Sequence, residues 1–304
     1  MLHYFVIQSE FKTEQAETRA FNIIRAAHLG MCFGVRDAIA LAYDEAESGP
    51  LTILGELVHN ETVLAGLRDR RIRLEDRLKD VATPSVMITA HGASNKTVRA
   101  IHDRGLRVVE ATCPLVHFAH RAVRSLVSEG FHPVIVGRRD HVEVRGLTQD
   151  LAEFDVVLNE SDVFQLAPRH RFGVAAQTTQ PIDRVRHLVE VIRQRFPKSE
   201  VRFHDTVCQP TKQRQTAAVE MARQSDVVIV VGGINSNNTR ELAATCRLYC
   251  ARVYQVGDAD AICADWLSDA QSVGLTAGTS TPDHVIDEVE FRLRALAQGT
   301  PAWR

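Results

Sequence analysis

Three cysteines sit in the same sequence context, and that repeat narrows what this chain can fold into. NIIRAAHLG stands before Cys32, LRVVEAT before Cys113 and EVRFHDTV before Cys208, each a short β-like run. A helix-like stretch follows each cysteine: FGVRDAIALAYDEAES, PLVHFAHRAVRSLVSEG and QPTKQRQTAAVEMARQ. In the second, Leu115, Ala119, Ala122 and Leu126 recur at helical spacing. Pro114 and Pro210 stand just past their cysteines, where a first helical turn tolerates proline. Each unit then gives a nearly continuous apolar strand, LTIL, HPVIVG and DVVIVVGG, of the kind a parallel sheet covers on both faces. A polar loop follows: His59-Asn60, His141-Val142-Glu143, and Asn235-Ser236-Asn237-Asn238. Cys32 to His59 spans 27 residues, Cys113 to His141 spans 28, and Cys208 to Ser236 spans 28. A further strand (SVMITA, FGVAA, SVGLTA) again ends in polar residues, at His91-Gly92-Ala93-Ser94, Gln177-Thr178-Thr179 and Gly278-Thr279-Ser280.

The reading is three small α/β domains, each with functional loops at the carboxyl ends of its strands, where open α/β sheets bind ligands. The division is an N-terminal extension over 1–21, domains over 22–106, 107–200 and 201–290, and a tail over 291–304. If the three pack around a common axis, three thiols and six polar loops face one cavity.

Composition removes whole classes of function. At 304 residues, 45% hydrophobic and 24% charged, the chain has a sizeable core. No apolar run reaches the roughly 18–20 residues that span a bilayer. The start, MLHYFVIQSEFKTEQ, has no basic opening and is not a secretory signal. A formal net charge of -2 speaks against a nucleic-acid partner. A cytoplasmic protein without membrane or nucleic-acid partners is expected.

Such a chain keeps its thiols reduced, which favours catalytic or metal-binding roles. There is no CxxC pair, so a metal site must gather ligands from afar. Three thiolates suit a soft metal. Zinc takes four protein ligands in a structural site, or three in a catalytic one. A cubane iron–sulfur cluster normally takes four cysteines; three leave one iron open to substrate. Cys246, Cys250 and Cys263 lack counterparts in the other units and read as structural.

The loops hold no GxxxxGK[ST] motif, which excludes a P-loop. His59, His91 and His141, the run Asn235 to Thr239 and Ser280 offer donors for a small diphosphate held without a metal ion. Glu143 is the lone carboxylate here, and with Thr178 beside it could pass a proton to a departing hydroxyl.

The segments LGMCFGVRDA, LVHN, TAHGAS, VVEATCPLV, HVEV, QTT, VVGGINSNNTREL and VGLTAGTSTPD resemble the 4-hydroxy-3-methylbut-2-enyl diphosphate reductase family over residues 22–290. That family supplies the last enzyme of the methylerythritol phosphate route to isoprenoids. The resemblance implies a pseudo-threefold trefoil around a central [4Fe-4S] cluster held by Cys32, Cys113 and Cys208. It implies diphosphate binding by His59, His91, His141, Ser236, Asn238 and Ser280, with Asn237 at a position usually serine and Thr178 nearby. It makes Glu143 the proton donor and Thr178 its partner; were Glu143 not the donor, His141 or bound water would have to be. The implied reaction removes an allylic hydroxyl with two electrons and two protons, giving isopentenyl and dimethylallyl diphosphate. A ferredoxin or flavodoxin would supply the electrons singly.

The sequence departs from the family at several positions. Phe33 replaces alanine, Val142 proline and Arg145 glutamate. GRRD stands where GHxGH is usual, and Gln209-Pro210 replace an aromatic–alanine pair. These changes allow two other readings: a paralogue acting on a different allylic diphosphate, and a non-catalytic iron–sulfur anion sensor. A sensor needs no internal proton donor, and the chain keeps Glu143.

Overall fold

The apolar runs become inner strands of three parallel sheets. The structure, a computed structural model, describes residues 20–298. The first sheet collects β2 (Leu51–Leu54), β3 (Arg73–Glu75), β4 (Ser85–Ile88) and β5 (Arg107–Glu110) in the order β3-β2-β4-β5. The second collects β6 (His132–Val136), β7 (Asp155–Val157), β8 (Arg171–Ala176) and β9 (Glu200–Phe203) in the order β7-β6-β8-β9. The third collects β10 (Val227–Val231), β11 (Val253–Val256), β12 (Ser272–Ala277) and β1 (Asn22–Arg25) in the order β1-β12-β10-β11. The helices are α1 (Phe33–Ser48), α2 (Glu61–Asp69), α3 (Asn95–Asp103), α4 (Pro114–Ser128), α5 (Val142–Thr148), α6 (Glu160–Val163), α7 (Ile182–Arg195), α8 (Gln209–Ala222), α9 (Asn237–Arg247) and α10 (Asp283–Ala297). Three small α/β units thus repeat one strand order, as the cysteine spacing predicts.

Strand alternation explains why β10 has no polar face. Val227, Ile229 and Val231 pack in one cluster with Val289 and Leu293 of α10. Val228 and Val230 pack in another with Ala217 and Ala218 of α8 and Leu242 of α9. Successive side chains point to opposite faces, so both faces of the sheet are covered by helices.

Sheet membership shifts the sequence-based boundaries. β5 and β9, placed at the start of the second and third domains, each close the sheet of the preceding unit. β1, placed in the first domain, pairs with β12 in the third sheet, Asn22 opposite Ser272 and Arg25 opposite Leu275. The helix after each cysteine packs forward instead: Ala38 and Ala42 of α1 on Leu51 and Ile53, Ala119 and Val123 of α4 on Ile135, and Ala218 of α8 on Val228. Each of the three cysteines therefore stands at a junction between two units. A repeat in sequence fixes spacing; strand pairing is decided by which edge is left open.

The sequence divisions at the ends change too. Residues 1–19 of the extension and 299–304 of the tail lie outside the described residues. Phe21 packs in the core of the third unit, and α10 runs past residue 290 with Leu293 and Leu296 buried. Among the described residues no helix is long and apolar enough to cross a membrane.

Close approach at one junction requires a glycine. A Cβ on Gly34, in the first turn of α1, would stand 2.6 Å from Cys113 Sγ. Gly34→Ala should push the Cys113 thiol or the start of α1 aside, at an overpacking cost of about 1–3 kcal/mol. Denaturant unfolding measures this, and an unchanged midpoint would mean that the junction has slack.

Candidate active site

Cys32, Cys113 and Cys208 are the N-cap residues of α1, α4 and α8, and none caps its helix with its side chain. Their backbone N–H groups are anchored in parallel fashion. Cys32 donates to Thr279 O at 3.0 Å, Cys113 to Ala90 O at 3.1 Å and Cys208 to Thr178 O at 3.0 Å. Each acceptor lies two residues past the end of an inner strand of the preceding unit, β4, β8 or β12. The same three bonds therefore place each thiol and the polar loop beside it.

The thiols of Cys113 and Cys208 are both pushed up by burial, Cys208 to about 11, with the neighbouring Cys32 and Glu143 adding in the same direction. The Cys208 thiol donates to Thr211 Oγ1 at 3.0 Å. Helix N-termini favour negative charge, so three N-cap thiols, with Cys32 close to both others, suit a cationic metal centre that binds them as thiolates. Cys246 and Cys250 are buried in the third unit, as their structural reading predicts, whereas Cys263 is exposed.

The loops expected to be merely polar start helices. Asn60 caps α2 by accepting from Val63 N at 3.3 Å, and Ser236 caps α9 by accepting from Thr239 N at 3.3 Å. Asparagine and serine serve turns and N-caps alike, which hides the helix in the sequence. His141 caps α5, its Nδ1 accepting from Glu143 N at 3.2 Å.

His59, His91 and His141 come together from three loops. Their ring centroids lie 5.2, 5.7 and 5.4 Å apart. Ser236, Asn237, Asn238 and Ser280 line the same small cavity, as do Thr179 and Thr279, which sequence reasoning did not single out. Two of these side chains are buried without partners: Asn237 Nδ2 and Ser280 Oγ. Asn238 Oδ1 accepts from Thr279 N at 2.9 Å, which fixes that amide.

The donor set fits an anion better than a metal ion. One ring nitrogen from each histidine could meet a metal. His141 Nδ1, however, is spent on a backbone N–H, so in the neutral ring Nε2 carries the proton and is a donor. Burial, helped by the neighbouring His59 and by Arg138 and Arg145, holds His141 down to about 3. Burial and the two other rings hold His91 well below the usual histidine range. Both rings are thus neutral donors until an anion arrives. His59 Nδ1 sits 2.7 Å from Glu56 Oε2. Glu56 also escaped sequence reasoning, although its place three residues before a candidate histidine was a usable signal.

Glu143 and Thr178 pair as the sequence suggests. Thr178 N donates to Glu143 Oε1 at 2.7 Å, and Thr178 Oγ1 donates to Oε2 at 3.0 Å. Glu143 is only 1% exposed, and burial raises it from 4.5 to about 7 against the lowering pull of these two bonds. Thr179, next to the pair in sequence, lines the cavity, whereas Thr178 and Glu143 themselves do not.

Most altered positions lie elsewhere. Val142 and Arg145 line a separate groove of about 950 Å³ between the first and second units. Phe33 is 45% exposed, and Gln209 also faces outward. Of Phe33, Val142, Arg145, Gln209, Pro210 and Asn237, only Asn237 lines the histidine cavity.

Comparison with known proteins finds relatives over nearly the whole chain. The LytB protein family matches residues 23–294. The 4-hydroxy-3-methylbut-2-enyl diphosphate reductase of Syntrophotalea carbinolica is 35% identical over 91% of this chain and 99% of its own. That of Trichlorobacter lovleyi is 37% identical over 89% and 97%. A solved (E)-4-hydroxy-3-methyl-but-2-enyl diphosphate reductase is 33% identical with a TM-score of 0.65, covering 90% of this chain and 98% of that one. The Plasmodium falciparum reductase structure, 24% identical, shares the fold with a TM-score of 0.83 over 90% and 87%. Fold and relatives together define an oxidoreductase built from three α/β units. The chain belongs to the LytB protein family.

Glu143 makes stability depend on pH. Its folded pKa lies above its unfolded value, so the folded chain holds the proton more tightly. The carboxyl costs nothing below about pH 4.5, where both states are protonated, and its cost grows as pH rises to about 7. Glu143→Gln, a mimic of the protonated form, should gain on the parent across that window by up to about 3 kcal/mol. Unfolding of both proteins as a function of pH measures the gap; a gap that stays constant would mean an ordinary carboxyl.

Proposed function

We propose that this chain reduces 4-hydroxy-3-methylbut-2-enyl diphosphate to isopentenyl and dimethylallyl diphosphate, a closing step of isoprenoid precursor synthesis. The observation that carries the reading is a buried carboxyl raised to about 7, bonded to a threonine whose neighbour lines a three-histidine cavity. Relatives named for this activity at 35–37% identity support it.

His59, His91, His141, Ser236, Asn237, Asn238 and Ser280 hold the diphosphate. The unpartnered Asn237 amide and Ser280 hydroxyl donate to its oxygens, and the bound anion favours protonation of the rings. Cys32, Cys113 and Cys208 hold a [4Fe-4S] cluster, which three converging thiols without a fourth cysteine fit. When bound, the cluster supplies two electrons, received singly from a ferredoxin or flavodoxin.

The hydroxyl leaves as water, so the protein must deliver a proton to it. With Glu143 protonated, the bond in which Thr178 Oγ1 donates to Oε2 reverses its sense: Oε2–H donates to Oγ1, and the threonine hydroxyl turns its own proton toward the cavity. One proton goes into the departing water and a second to the allylic carbon, balancing the two electrons. His141, whose Nδ1 accepts from the Glu143 backbone N–H, keeps Nε2–H free to orient the diphosphate.

Anaerobic iron and sulfide analysis together with turnover of this substrate tests the reading. Glu143→Gln should retain iron and substrate binding and lose turnover by about 10²- to 10⁴-fold. Stoichiometric zinc without sulfide would overturn the reading; a variant within a few-fold of the parent would remove Glu143 as the proton donor and leave that role to His141 or bound water.

A further inference from the structure

Arg214 lies on α8, six residues after Cys208, and is only 9% exposed. Its Nε donates to Gly30 O at 2.9 Å and its Nη1 to Pro210 O at 3.0 Å. Gly30 precedes Cys32 by two residues and Pro210 follows Cys208 by two. The guanidinium is thereby clamped between two of the three cysteine turns. Arginine stays protonated in proteins, so the buried group is a cation.

A buried charge is costly unless it is paired. Among the described residues no carboxylate pairs with Arg214; the neighbouring groups able to carry an opposing charge are Cys32 and Cys208. The neighbouring Arg36 is exposed and has its own partner, Asp283, at 2.8 Å. The two carbonyls orient the guanidinium but do not neutralise it. An anionic group held at the cysteines would neutralise it.

Three thiolates outweigh the charge of an oxidised cubane core, so a cluster held by them is an anion, and each added electron makes it more negative. We infer that Arg214 is the built-in counter-ion of the metal centre at Cys32, Cys113 and Cys208, and that it raises the reduction potential of that centre. The inference rests on the cofactor reading above. Nearby charge and burial are among the levers that set such potentials. Arg214 has both, and it reaches the cysteines without ligating anything.

The test compares Arg214→Gln, which removes the charge, with Arg214→Lys, which keeps it. Both lose the forked geometry, so a difference between them reports charge. Each protein is prepared anaerobically, its iron and sulfide are measured, and the midpoint potential is followed by spin resonance in a redox titration. Arg214→Gln should lower the potential by about 59 mV or more, a tenfold shift in the one-electron equilibrium. Arg214→Lys should move it by less than half as much. A Gln variant with full cluster content and an unmoved potential overturns the counter-ion role. If the Gln variant holds no cluster while the Lys variant does, charge is required for binding and the role stands. If neither holds one, Arg214 serves the fold and the inference fails. A parent protein without iron and sulfide overturns the cofactor reading itself, which separates the two failures.

Discussion

The pairing of β1 with β12 is the contact on which the remaining architecture depends. Each cysteine hangs between the last strand of one sheet and the first helix of the next unit. Two such junctions are made by continuous passage of the chain from β5 into α4 and from β9 into α8. The third exists only because Asn22–Arg25 crosses to Ser272–Leu275. Without that pairing, Cys32 would be tied to the first unit alone, and its N–H would lose Thr279 O. Within each sheet all strands run parallel, so each unit presents its carboxyl ends on one side, and ring closure brings the loops there together at one site.

Burial then sets the charges inside. Glu143 is kept near neutral pH by the cost of ionising in the interior, and His91 and His141 are kept uncharged by the same cost. One physical effect thus retains a proton on the acid and withholds protons from the bases. An arriving anion reverses the second effect and strengthens the first. The site therefore gains positive charge at the rings while the carboxyl keeps its proton for delivery.

Sequence reading resolved a good part of this. The segments FGVRDAIALAYDEAES, LTIL and SVGLTA coincide with α1, β2 and β12 residue for residue, because each has a single unbroken pattern. The Glu143–Thr178 pair and the three histidines are brought together as their places in the repeat suggest. The outer strands β3, β7 and β11 escaped notice, being three or four residues long with no clear alternation. The crossing of β1, β5 and β9 into neighbouring sheets was illegible because it is a property of edges. Arg214 was illegible for another reason: an arginine in a polar helix such as QPTKQRQTAAVEMA reads as solvated.

Ring closure also sets an order of events during synthesis. β1 is among the first strands made, yet its partner β12 is among the last. Contacts this distant in sequence form late, because the loop must close before the pairing rewards it. Until residues 272–277 have left the ribosome, Cys32 has no fixed place beside the other two thiols. A metal centre at these three thiols, as proposed, would therefore have to wait for nearly the whole described chain, with the thiols unassembled for most of its synthesis.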